Sequence, residues 1–239
     1  MQFPDRTTEE SSLILTWKTI MDWAQTHYRD RIFRKDEQIP VRPELIYLVN
    51  QGAVRLVSEA HIPQTIAPPL EQEDEPNLEP TEDVERAFLG FVAARKPFEV
   101  LSHSVFSIEA YAHVDYTQVA WLYWQDLEQW PDFRQEIYDA FRRQHQRKML
   151  WLSALGQRRT IDRLTSFLTL LVEEYGLEYD EDEYCLPYTL THAQIGSAIG
   201  STRVTVTRLM GKLRRQGIIT VKDDNSICIN HLKITLGDR

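Results

Sequence analysis

A chain of 239 residues with 42% hydrophobic content is long enough for two modest domains, each with its own core. Its formal net charge is -9, so any contact with a polyanion has to come from a local concentration of basic residues. No run of about 18 apolar residues occurs, and the polar, partly acidic start MQFPDRTTEE is not a secretory signal, so no membrane segment and a cytoplasmic location are expected.

Within residues 11–27, Leu13, Ile14, Trp17, Ile20, Met21 and Trp23 recur at roughly helical spacing, which predicts an opening amphipathic helix packed on the domain behind it. Residues 33–39 and 45–56 read as strands, the second stretch turning at Asn50, Gln51 and Gly52. Residues 59–85 break this rhythm with five prolines, and from 71 to 85 they carry eight acids and no base. Such a composition does not bury enough surface to order itself. A solvated mobile loop between two strands is expected, with docking of a basic partner protein as the alternative. Strands resume at 87–93 and 111–123. His103 and His113 lie ten apart and read as surface histidines, not as a metal pair.

Pro131 suits the first turn of a long helix, along which Phe133, Ile137, Phe141, His145, Met149, Leu152 and Leu155 step by threes and fours. The run reads as one apolar seam. Residues 156–159 form a hinge after it. Ile161, Leu164, Phe167, Leu168, Leu171, Val172 and Tyr175 give the next helix an apolar stripe, closed by Gly176. An acidic loop at 178–183, a short strand at 186–190 and a hairpin at 217–230 turning at 223–225 are expected around the segment that follows. Lys222 beside that turn is placed either to touch phosphate or within a plain structural hairpin. Cys185 and Cys228 lie far apart and have no CxxC partner, so neither a zinc site nor a disulfide framework is expected. Two cysteines also fall short of the four that an iron–sulfur cluster takes.

Residues 191–215, THAQIGSAIGSTRVTVTRLMGKLRR, carry the functional signal. Thr191 and Gln194 form a capping box at a helix start, and Gly200 with Ser201 supplies a tight turn and a second cap. On the second helix Val206, Leu209, Met210 and Leu213 fall on an inward face, and Arg203, Val204, Thr207, Arg208 and Gly211 on the other. Arg203 and Arg208 are the candidate base readers, because the guanidinium fork matches O6 and N7 of guanine. Ser201, Thr202, Thr205 and Thr207, with Thr191 at the first helix start, are short donors suited to phosphates, as is the cation Lys212. Between 202 and 215 there are five bases and no acid. A solvated basic helix is the bland alternative; the caps, the turn and an apolar Val204 on the outer face argue for a helix-turn-helix.

These residues resemble the DNA-binding motif of the Crp/Fnr family of bacterial regulators, and GSTRVTVTRL at 200–209 is most similar to the cyanobacterial global nitrogen regulator branch. The resemblance implies an α+β fold in three parts. Residues 1–124 would form an N-terminal helix plus a β-roll sensor domain, jelly-roll-like and similar to cyclic-nucleotide-binding domains. Residues 125–156 would be the connecting and dimerisation helix, pairing through Ile137, Phe141, His145, Met149, Leu152 and Leu155. Residues 157–239 would be a winged helix-turn-helix. Valine at 204 stands where the cyclic-AMP receptor branch has glutamate, so the half-site should differ from that branch, and a TGTA/TACA palindrome is expected. Phe98, Glu99, Val100, Leu101 and Ser102 are similar to the FGVLS stretch of the nitrogen regulators, which bind 2-oxoglutarate, with Arg143 and Arg147 as a second source of anion contacts. Glu99 replaces a glycine, however, and residues 102–119 contain no Lys or Arg; both departures count against transferring that ligand and against a cyclic nucleotide, leaving a different effector, or none, as the alternative.

The function expected is a homodimeric, sequence-specific transcription regulator that binds double-stranded DNA and RNA polymerase, without a cofactor. Regulation mainly through protein contacts is the alternative. A β-roll enzyme is the rival of another class, and no clustered His and carboxylate ligands, nucleophile elbow or phosphate loop is present to support it.

Overall fold

The computed structural model describes residues 6–60, 86–101, 103, 105–180 and 183–230, side chains of 6–15, 60 and 230 excepted. Two compact units divide the chain, 1–142 and 143–239, and the division falls inside the long helix α2 (Pro131–Leu155).

Strand β3 (Leu45–Gln51) shows how the first unit is built, since five consecutive residues from Leu45 to Val49 are buried. Alternate side chains of a strand point to opposite faces, and here each face is covered. Leu45, Tyr47 and Val49 enter one core with Phe33, Val54, Val92 and Val119. Ile46 and Leu48 enter a second core with Ile20, Ala24, Leu122, Leu127, Phe133 and Ile137. The second core is the one that helix α1 (Arg6–Thr26) and the start of α2 cover. The Trp17 indole N–H also donates to Asn50 Oδ1 at 3.0 Å.

The strands of this unit form two antiparallel four-stranded sheets. One runs β1 (Asp30–Phe33), β8 (Thr117–Tyr123), β3, β6 (Lys96–Phe98); the other runs β2 (Gln38–Ile39), β7 (Phe106–Ala112), β4 (Ala53–Ala60), β5 (Ala87–Ala93). The expected strand at 33–39 is two strands, because Asp36 sits at φ 65 and turns the chain between them, its carboxylate paired with Arg55. Likewise 111–123 is bent between β7 and β8. Glu59 and Ala60 belong to β4 and not to the acidic loop, whose remaining residues, 61–85, lie outside the described ones. His113 is not a surface residue. It is 5% exposed, with its ring 4.6 Å from that of Phe91.

The seam read along α2 does not lie on one face. Each step of four residues advances about 40° around a helix of 3.6 residues per turn, so Phe133, Ile137, Phe141, His145 and Met149 wind progressively round it. Phe133 and Ile137 are accordingly 1% and 2% exposed in the second core, and Phe141 packs against it. Ile137 is therefore corrected from a dimer candidate to a core residue of its own chain, while Phe141 is half-buried against that core. The exposed apolar stripe is Tyr138, His145, Met149 and Leu152, with Leu155 half-buried.

In the second unit, α3 (Thr160–Tyr175), α4 (His192–Ile199) and α5 (Arg203–Arg215) pack with a sheet ordered β11 (Ile219–Val221), β12 (Ile227–Asn230), β10 (Glu183–Cys185), β9 (Leu177–Asp180). Their core includes Leu164, Phe167, Leu168, Ile195, Ile199, Val206, Met210, Leu213, Ile219 and Ile229. The segment read as an acidic loop contributes β9 and the start of β10, whereas 186–190 is not a strand. The expectation for the cysteines is overturned: Cys185 and Cys228 face each other in the β10–β12 register and form a disulfide. Sequence separation concealed a pairing that strand register creates.

Candidate nucleic-acid interface

Helix α4 starts as its sequence dictates. The Gln194 N–H donates to Thr191 Oγ1 at 3.1 Å and the Thr191 N–H donates to Gln194 Oε1 at 2.9 Å, which satisfies donors at both ends of the capping box. At the other end Gly200 adopts φ 61, ψ 56 and hands its N–H to Gly196 O. The turn then runs so close to α4 that a Cβ at Gly196 would lie 2.7 Å from the Ser201 carbonyl oxygen. Only glycine fits there.

The cap of α5 is Thr202, one residue later than expected, and Ser201 belongs to the turn. Thr202 Oγ1 accepts from the Thr205 N–H at 3.2 Å and donates to Thr205 Oγ1 at 3.0 Å. Its hydroxyl is thereby spent on the helix start and is not a free phosphate donor. Thr207 Oγ1 donates to the Arg203 carbonyl at 2.9 Å, so it too has no proton left over. The inward face holds Val206, Met210 and Leu213 buried and Leu209 half-buried. Arg203, Val204, Thr207 and Arg208 are exposed, Val204 to 79%. Lys212, Arg214 and Arg215 occupy the last turn, where cations suit the helix dipole.

Two residues that sequence reasoning passed over brace this motif. The Arg163 guanidinium on α3 donates to Ile199 O at 3.0 Å and Gly200 O at 3.5 Å, and the Trp151 indole donates to Ala198 O at 3.3 Å. They satisfy carbonyls that the end of α4 leaves free. No periodicity could have marked them, because neither lies on the motif. A third, His192, places Nδ1 2.8 Å from Thr207 Oγ1 and so links α4 to α5.

In the hairpin β11–β12, Lys222 is committed within the sheet: its ammonium lies 2.7 Å from Glu183 Oε2 and 4.3 Å from the centre of the Tyr179 ring. Hydrogen bonds from Lys222 and Thr220 hold the Glu183 carboxyl below its ordinary range. Glu183, Cys185 and Cys228 lie near enough to suggest a metal site, but the two sulfurs are bonded to each other.

The residues expected around an effector divide between the two units. Phe98 is 1% exposed and stacks on Tyr47 with ring centres 5.0 Å apart, and Val100 is 7% exposed in the same core. Both hold the β-roll together, although Val100 also borders a cleft of about 490 Å³ with Leu101, Ile39, Pro43, Ile108 and Glu109. Among the described residues no base lines that cleft. Burial raises the Glu99 carboxyl above its ordinary range, opposed by a hydrogen bond with Trp124. Ser102 lies outside the described residues. In the second unit, Arg143 is exposed, and Arg147 is held 3.4 Å from Glu173 and 3.4 Å from Glu174.

A roll of two antiparallel sheets, a long helix, and a capped helix pair flanked by a hairpin define the class of protein with a cyclic-nucleotide-binding-like fold and a winged helix-turn-helix. Residues 162–233 match the Crp-like helix-turn-helix domain. Over 72 residues it is 40% identical to the global nitrogen regulator of Synechococcus elongatus, covering 30% of this chain and 32% of that protein. Over 97 residues it is 34% identical to the global nitrogen regulator of Synechocystis, covering 41% of this chain and 43% of that protein. These matched stretches span a third to two fifths of the relatives' length. Among solved structures, a cyclic nucleotide-binding domain containing protein from Listeria monocytogenes shares the fold with a TM-score of 0.65 at 14% identity, covering 90% of this chain and 97% of that one. A CRP-family transcriptional regulator from Thermus thermophilus does so with a TM-score of 0.58 at 20% identity, covering 84% and 92%.

Helix α5 separates its cations by position. Lys212, Arg214 and Arg215 lie at the far end of α5 from Arg203, and we propose that they neutralise phosphates. Replacing one of them by alanine should weaken all duplexes alike and lower the slope of log K against log salt by about 0.9 for each phosphate that is no longer neutralised. A titration series in salt on specific and scrambled duplexes checks this; weakening confined to the specific duplex at unchanged slope contradicts it.

Proposed function

We propose that the protein is a sequence-specific DNA-binding transcription regulator of the Crp/Fnr type that reads a palindromic TGTA/TACA-like site as a homodimer. The observation that carries the reading is the outer face of α5, where Arg203, Val204 and Arg208 stand exposed on a helix capped at Thr202. An arginine fork reads guanine and an apolar side chain such as valine meets the thymine methyl, which together suit a GTA element in the major groove. Ser201, Thr205 and the free N–H groups at the start of α5 contact phosphate. A cytoplasmic location and contact with RNA polymerase complete the reading. No helix among the described residues is long and apolar enough to cross a membrane.

Two reading helices on a palindrome require a twofold axis. We assign the pairing surface to the exposed stripe of α2, of which Met149 is 50% and Leu152 59% exposed. Leu152→Glu sets two carboxylates against each other across that axis, where desolvation and repulsion act together. Linking two half-site readers raises affinity through effective concentration by on the order of 100-fold. The variant should sediment as a monomer and lose at least that factor on the full palindrome while keeping weak nonspecific binding. A monomeric variant that binds the palindrome as tightly as the parent protein removes α2 from the mechanism.

A further inference from the structure

Three consecutive carbonyls at the end of α4 and its cap accept hydrogen bonds from side chains of other helices. Ala198 O takes the indole N–H of Trp151 at 3.3 Å, Ile199 O takes Nε of Arg163 at 3.0 Å, and Gly200 O takes Nη2 of Arg163 at 3.5 Å. The same guanidinium also reaches the other way. Its Nη1 donates to Gln157 O at 3.2 Å, between α2 and α3, and its Nη2 donates to Thr160 Oγ1 at 3.2 Å, on the first residue of α3. One planar, half-buried fork therefore joins the segment that enters α3 to the turn that leaves α4.

The reading helix follows directly on that turn. Only Ser201 and the Thr202 cap separate Gly200 from Arg203, the first residue of α5, a span of at most about 10 Å. Little slack remains within it. The Ser201 N–H donates to Gly196 O at 2.9 Å, and the turn lies so close to Gly196 that a Cβ there would stand 2.7 Å from Ser201 O. A displacement of the turn thus passes to the start of α5. A site that makes a directional contact has to be held within about 0.5 Å of its productive geometry, which applies to an arginine fork on a guanine. Contacts to phosphate rest on diffuse charge and tolerate more.

We propose that Arg163, assisted by Trp151, is a positioning residue for base reading: it holds the turn so that Arg203 meets guanine in register. This role rests on the DNA-binding reading of α5 and deepens it by naming what sets its specificity. Lysine does not substitute for arginine here. Its ammonium carries three donors at one point, whereas the four acceptors are met by Nε, Nη1 and Nη2 spread across the fork.

The test is a double-mutant cycle in the full chain. Affinity is measured by fluorescence anisotropy at fixed salt, for a duplex carrying the TGTA/TACA palindrome and for a scrambled one. Arg163→Met keeps an unbranched stem in the half-buried position and removes the donors. It should weaken the palindrome on the order of ten-fold, within what a lost arginine–guanine pair costs, and the scrambled duplex by less than about two-fold, since the cations of α5 remain. Arg163→Lys, which keeps the charge, should lose the palindrome as the methionine variant does. In an Arg203→Ala background either substitution should cost almost nothing further, because a misplaced reader and an absent one fail alike; independent sites would add. Trp151→Phe keeps a ring against Phe167, now 5.1 Å away, and removes only the indole donor. It should show the same loss and the same coupling, and it carries the cycle if urea unfolding shows Arg163→Met to be unstable. Equal losses on both duplexes, a loss that adds to that of Arg203→Ala, or a lysine variant at parent affinity each overturn the role. A parent protein with no preference for the palindrome removes the sequence-specific reading itself, and that outcome is seen before any variant is made.

Discussion

Arg203→Ala should cost roughly 1–3 kcal/mol at each half-site, the range for a bidentate arginine–guanine pair. Because both protomers carry the change, the full palindrome should lose about twice that, on the order of 30-fold or more. The variant tests the side chain cleanly. Thr202 caps the helix with its own hydroxyl, and Thr207 uses only the Arg203 carbonyl, so neither depends on the guanidinium. Binding should be measured to the palindrome and to a duplex in which the guanine of each half-site is replaced. The parent protein should discriminate sharply between them and the variant little. A variant that keeps the parent's preference shows that Arg203 does not read the base.

Reduction of the Cys185–Cys228 disulfide should cost the second unit about 4 kcal/mol. The bond closes a loop with a sequence separation of 43 residues, and cross-linking such a loop removes that much freedom from the unfolded chain in the entropic account. It ties β10 to β12, so it clamps the sheet that carries the hairpin. Urea unfolding followed with and without a thiol reductant, alongside a Cys185→Ala, Cys228→Ala double variant, measures the effect. The reduced parent and the double variant should unfold at similar, lower midpoints. Coincident curves for oxidised and reduced protein would show that the pair contributes nothing to stability.

Features set by neighbours in sequence were readable, and features set by neighbours in space were not. The capping box at Thr191 and Gln194, the glycine turn and the inward face of α5 depend on spacings of three and four residues, which the string displays directly. β5 emerged with its bounds intact, and β3 and β4 were visible as a pair, because apolar runs between turn residues mark strands. The disulfide depends on register between strands more than forty residues apart. His192, Arg163 and Trp151 act through hydrogen bonds from one helix to another, and their own surroundings in sequence carry no mark of it. The seam along α2 failed for a different reason. Steps of four look like one face in a string, but their small rotations accumulate until the stripe has left the core for solvent. Phe98 and Val100 illustrate a related limit: the stretch resembles a family's ligand cradle, yet their side chains point into the roll.

The reading helix is cationic in a chain whose net charge is -9, and this contrast bears on how the protein finds a site at all. At physiological ionic strength charges are screened beyond about 8 Å, so an approaching duplex responds to whichever face it meets first. In the proposed DNA-binding role, an encounter through α5 would be held, and one through acidic residues would dissolve before the two molecules could reorient. The charge contrast would then work as an orientation filter, shortening unproductive collisions and keeping the reading face inward while the protein slides along nonspecific sequence. In dilute salt, where the screening length grows to about 30 Å, the duplex feels the whole molecule and the repulsion comes into play. The association rate should therefore gain less from removing salt than that of a uniformly basic protein that neutralises equally many phosphates.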